Sequence, residues 1–198
     1  ISGDLTIDGD LTVNGNGSGN YDEIINGALD INIAGSLSNQ EYTALRLKYD
    51  DSTGASTDSG VSLDWTWQDD ASSEATIGKI AVVRDNGDNY GAMKFYTANN
   101  GTNTLRMTID DIGNVGIGVT PQAWNGAMSA VQIGGNGAIE ATTSAGASGE
   151  LKILQNAYHS GSAWTKISDD EASEYIQAGG VHTFGSAASG TGTFTFTS

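Results

Sequence analysis

The chain has 198 residues, enough for one large domain or two small ones, and 37% of them are hydrophobic, with 28 glycines and only 16% charged residues. Its 24 acids against 8 bases give a formal charge of −16, which repels nucleic-acid phosphates and anionic membrane surfaces, so neither is expected as a partner. With no cysteine, disulfides, thiolate zinc sites and cysteine nucleophiles are excluded. A polar, weakly charged chain rich in Gly, Thr and Asn reads as many short strands joined by tight turns. No run approaches the length of a membrane-crossing helix. The first residue is Ile1 and no signal peptide is recognisable, so the sequence reads as an internal or processed portion of a longer chain.

Residues 3–15 repeat with a period of six: Gly3-Asp4-Leu5-Thr6-Ile7-Asp8, then Gly9-Asp10-Leu11-Thr12-Val13-Asn14, then Gly15. Leu5, Ile7, Leu11 and Val13 alternate onto one face, but four apolar side chains bury nothing alone. Such repeats gain a core by stacking on neighbours, which predicts a stalk with these four residues at a chain-to-chain interface. A hairpin packed on the following domain is the other reading. Residues 16–35 are turn-rich and then alternate at Leu29, Ile31 and Ile33, as the end of the stalk or a connector.

Longer strands are expected next. Alternation runs through Leu45, Leu47 and Tyr49, through Val61, Leu63, Trp65 and Trp67, and through Ile77–Val83. It continues at Met93 and Phe95, at Leu105, Met107 and Ile109, and at Val115, Ile117 and Val119. Asp85–Asn89 and Asn99-Asn100-Gly101 read as turns. About six strands in roughly 80 residues is the density of a β-sandwich or small barrel-like sheet. Thr120-Pro121 breaks the pattern, and shorter strands follow at 131–133, 139–141, 151–153 and 194–196. Ser168 and Glu171 could cap a helical turn over 168–178, although Tyr175, Ile176 and Gly179-Gly180 suit a strand and turn as well.

The chemistry-bearing residues read mainly as structural. His159 and His182 are isolated in strand-like or turn-like surroundings without a triad context. The acid pairs at 50–51, 69–70, 110–111 and 169–170 lie at strand-to-turn corners, where adjacent carboxylates point apart and serve as turn residues. Calcium is the other use open to the acid-rich loops, but Asp85–Asn89 lacks the spaced acids of an EF-hand. No cofactor and no catalysis are expected. Trp65 and Trp67 suit a core or subunit interface better than a sugar platform. Tyr158 and Trp164 flank a His-Ser-Gly-Ser turn and are the candidate receptor contacts.

LRMTIDDIGNVGIGVTP at 105–121, preceded by IGKIAVVRDN at 77–86 and GAMKFYTANNGT at 91–102, resembles a signature of bacteriophage tail fibres and other virion appendages, many marine or cyanobacterial. LQNAYHSGSAWTKISDDEASEYIQAGGVHTFGSAASGTG at 154–192 is similar to another unit of the same fibres. The resemblance implies an elongated homotrimer on the virion exterior that joins other tail proteins and presents a region to a host-surface glycan or protein. A surface adhesin and a polysaccharide-degrading tailspike are the alternatives. The expected fold class is therefore all-β: a hexad-repeat stalk at 1–35, then two β-sandwich-like modules at 36–120 and 121–198, in a homotrimer. Val115 and Ile117 form an apolar face whose reverse, at Gly116 and Gly118, admits a close backbone. That suits contact between chains around a three-fold axis, or equally a glycine-rich edge strand.

Overall fold

The structure, a computed structural model, describes residues 45–48, 58–68, 73–85, 89–145 and 149–198. The hexads with Leu5, Ile7, Leu11 and Val13, the 29–33 run and most of the 85–89 loop lie outside the described residues. The chain divides into two units, residues 1–46 and 47–198. Of the first unit only Leu45 and Arg46 are described, both exposed.

The second unit is all-β, with no helix among the described residues. Its strands are β1 (Gly60–Gln68), β2 (Glu74–Arg84), β3 (Gly91–Asn99), β4 (Thr102–Ile109), β5 (Val115–Ile117), β6 (Met128–Ile133), β7 (Gly137–Thr142) and β8 (Glu150–Gln155). There follow β9 (Ala157–His159), β10 (Trp164–Lys166), β11 (Ala172–Ala178), β12 (Val181–Ala187) and β13 (Thr193–Phe194). Ten of them form one sheet in the order β1-β2-β3-β4-β5-β6-β7-β8-β11-β12, and the remaining three form a small sheet, β13-β10-β9. Pairing is antiparallel throughout the large sheet except between β5 and β6.

The turns follow from the sequence. Asn100 and Gly101 join β3 to β4 with φ of 49° and 78°, the left-handed pair that a two-residue hairpin matching strand twist requires. Gly179 and Gly180 do the same between β11 and β12, at 55° and 77°, so residues 172–178 are strand and not a helical turn. Asp110 closes the β4–β5 turn: its carboxylate accepts from Asn114 N at 2.7 Å, Asn114 Nδ2 at 3.1 Å and Ile112 N at 3.2 Å. Asn114, itself buried, then accepts from Ala130 N at 3.0 Å and ties this turn to β6. Asp110 thus serves the turn, as its position predicted.

Three expectations are revised. The alternation at 45–49 does not make a strand over Leu45–Lys48, which are exposed and outside any ladder. The sheet does not close into two sandwiches meeting at residue 120; Val115, Gly116 and Ile117 pair in parallel with Val131, Gln132 and Ile133, so the ladder continues across that boundary. The close backbone at Gly116 belongs to the same chain. A Cβ there would lie 2.1 Å from Val119 O and 2.8 Å from Pro121 Cδ, because the β5–β6 crossover folds back over it. Val119 therefore leaves the strand, after Gly118 turns at φ 71°. Substituting Gly116→Ala forces this crossover off the sheet. Overpacking of this kind costs about 2 kcal/mol or more, which in a chain of this size lowers Tm by at least about 4 °C. A thermal melt matching the parent's would contradict that packing.

Candidate functional site

Register across the large sheet aligns its side chains in rows. Cross-strand partners share a face, as do residues two apart along a strand. One row reads Val61, Val82, Met93, Ile109, Val115, Val131, Ile139, Ile153, Tyr175, Phe184, one residue from each strand, and all ten are apolar or aromatic. The adjacent row on the same face reads Leu63, Ile80, Phe95, Met107, Ile117, Ile133, then Gly137, Gln155, Ser173 and Ser186. Neither row contains an Asp, Glu, Lys or Arg, in a chain of formal charge −16. Yet this face is open: Ile133 and Ile153 are each 51% exposed and Phe184 72%. Val115 is half-buried in the first row and Ile117 is exposed in the second.

The opposite face carries the charge and the polar groups, and it is the covered one. Its buried apolar residues are mostly small. Ala81, Val83 and Ala92 cluster on β2 and β3, and Ala130, Ala138 and Leu154 cluster around Trp124 from the crossover. Glu140 on β7 and Lys152 on β8 are cross-strand partners, both buried, with Nζ 3.3 Å from Glu140 Oε1. Lys152 Nζ also lies 2.7 Å from Glu150 Oε2. Burial raises the Glu140 carboxyl above its usual range, and the Lys152 charge offsets only part of this. Glu174, on β11, is raised by the same desolvation, with Glu140 and Glu150 adding to it. Its side chain lies over Gly185 of β12, where a Cβ would come within 2.7 Å of Glu174 Oε1.

The small sheet sits against this cluster. Tyr158 packs edge-on to Trp124, with ring centroids 5.9 Å apart. Trp164 packs edge-on to His159 and Phe196, and Lys152 Nζ stands 5.3 Å from its ring centroid. Both candidate contact residues are thus half-buried in packing, while Ser160-Gly161-Ser162 between them is exposed. A cleft of about 330 Å³ opens between the sheets, lined by Trp164, His159, Asn125, Glu150, Lys152 and Glu174 among others. His182, by contrast, is on the open face beside the Tyr175 hydroxyl, far from this group in register. Trp65 and Trp67 are exposed on β1 at the sheet's edge, with the Trp65 ring against Gly78.

The chain departs from the large sheet after β8 and returns at β11, and one side chain staples both points. Asn156, fully buried with φ 56°, donates from Nδ2 to Ser168 O at 3.1 Å and Glu171 O at 2.9 Å. Its Oδ1 accepts from Ser168 N at 2.8 Å and Ser168 Oγ at 2.9 Å. Lys166 holds the other end of the excursion through Asp170 O and Ala188 O.

Sequence reasoning missed Glu140, Lys152 and Glu174. The signal was present: each occupies a position that the Ala138, Leu154 and Ala172 alternation marks as inward. Comparison with protein-family models, curated proteins and solved structures finds no match to this chain.

Proposed function

We propose that this chain is a structural and adhesive module of a virion tail fibre, assembled as a homotrimer through the open face of its ten-stranded sheet. The observation that carries this reading is the uncharged double row. Ten strands spaced ~4.8 Å apart and two rows of side chains cover about 650 Å², of which the apolar and aromatic positions make about 520 Å². That is at the upper end of the ~300–600 Å² range for the largest patch of a monomer, which is often functional, and is over half of the ~800 Å² that one partner gives a standard interface. Large apolar side chains lie on the open face and alanines on the covered one, the reverse of what a lone domain needs. The resemblance of residues 77–121 and 154–192 to fibre modules supports the same reading. On it, Val115 and Ile117 face other copies, residues 1–35 serve as stalk and connector, and the module stands on the virion exterior joined to other tail proteins. Its work is spacing and attachment, without catalysis.

Light scattering on the chain at micromolar concentration tests this. The expected mass is three times 20.4 kDa. A stable, folded species of one chain's mass would overturn the reading.

A further inference from the structure

The cleft between the sheets lies on the face opposite the apolar rows, so assembly through those rows leaves it open. At about 330 Å³ it is at the small end of the range for small-molecule sites, ~300–1,000 Å³. Its lining combines an aromatic ring, Trp164, and the apolar side chains of Met128 and Ile176 with Glu150, Glu174 and Asn125. We propose that it binds a saccharide residue lacking a carboxylate, a neutral or amino sugar.

The charge balance selects that ligand class. Three carboxylates, Glu140, Glu150 and Glu174, surround one ammonium, Lys152, which is already within 3.3 Å of Glu140 and 2.7 Å of Glu150. No cation of the lining is left for an anionic ligand. Acceptors, in contrast, are in excess. Glu174, which lines the cleft, has an Oε2 without a hydrogen-bond partner. Carboxylate oxygens accept, so a ligand that complements them brings donors. His159 Nδ1 accepts from Gly161 N at 3.2 Å, which leaves the ring's proton on Nε2 as a further donor within the cleft wall. Sugar hydroxyls and ammonium groups supply donors, while the C–H face of a pyranose suits Trp164, Met128 and Ile176. Phosphate, sulfate, uronate and sialate groups would instead meet the carboxylates and be repelled. The cleft's place in host attachment rests on the fibre reading; its ligand chemistry does not.

The test is a printed glycan array bearing neutral, amino and acidic glycans, probed with the parent chain, Trp164→Ala and Glu174→Gln. Melting curves and light scattering on all three proteins separate loss of binding from loss of fold. Binding confined to glycans whose terminal sugar carries no acid is expected, with at least a tenfold loss in Glu174→Gln at unchanged melting temperature and mass. The bound glycan should be recovered uncut. Absence of binding across the array, binding that favours acidic glycans, or binding that survives in a folded Glu174→Gln overturns the proposal. A protein that binds as described but is monomeric overturns the fibre assembly alone; a trimer that binds nothing overturns the cleft alone.

Discussion

Ile139→Asp is expected to dissociate the proposed trimer, and Val181→Asp to leave it intact. Ile139 is at the middle strands of the ten-residue apolar row, flanked in register by Val131 and Ile153. Val181 begins β12 and points to the other face of the sheet, opposite Ala178. By exposure in the single chain Val181 is the freer residue, at 62% against 43%. If that exposure described the protein in solution, both aspartates would be tolerated. If the double row is an interface, Ile139→Asp loses a buried aliphatic side chain and places a charge in apolar surroundings in every copy. A loss of about 4 kcal/mol or more per site weakens association roughly a thousandfold. Sedimentation at micromolar concentration should show the Ile139 variant at one chain's mass and the Val181 variant unchanged. Equal behaviour of the two variants would remove the row from the interface.

Asn156→Ala is expected to be the most damaging single truncation in the covered half. It removes the side chain that joins the chain's exit from the large sheet to its re-entry, leaving Ser168 N, Ser168 O and Glu171 O without those partners. Each of these partly buried hydrogen bonds is worth about 0.5–1.5 kcal/mol net. Alanine at φ 56° adds about 1–2 kcal/mol of strain that asparagine tolerates better. A total near 4 kcal/mol lowers Tm by about 8–16 °C in a chain of this length. Asn156→Gly loses the same hydrogen bonds but relaxes the backbone, so its melt should fall between the two. A Gly variant less stable than the Ala variant would show that the backbone strain, not the side-chain network, had been misjudged. Loss of the staple should also disorder the small sheet and with it the Trp164 wall of the cleft.

Much of the strand pattern was legible because alternation is a local property. Val61–Trp67, Leu105–Ile109 and Val115–Ile117 all lie in strands, and the Asn-Gly and Gly-Gly turns carry the backbone angles their residues permit. What local periodicity cannot show is which face is covered. Val115 and Ile117 read as apolar and do lie on the open face, whereas Ala138 and Leu154, equally apolar in pattern, lie beneath the small sheet. Nor does periodicity register a parallel neighbour across a crossover, so Thr120-Pro121 looked like a module boundary while β5 and β6 pair directly. Gly116 was legible as a site of close approach, but the approaching backbone is its own chain's. The cleft was hidden for a related reason. Glu140, Lys152 and Glu174 are separated along the chain and meet only through the β7–β8–β11 register.

For eight consecutive strands, β1 to β8, neighbours in the sheet are neighbours in the chain. Each strand can therefore add to a ladder already present behind it as the polypeptide emerges from the ribosome, with little loop-closure cost. Such a sheet gains its backbone order early and alone, while, on the proposed trimer assembly, its large apolar side chains still await other chains. During synthesis the open rows are then a transient hazard, available to any sticky surface. The absence of charge that suits them to assembly also removes the usual guard against aggregation. Closely spaced ribosomes on one message, delivering several copies side by side, would shorten that exposure.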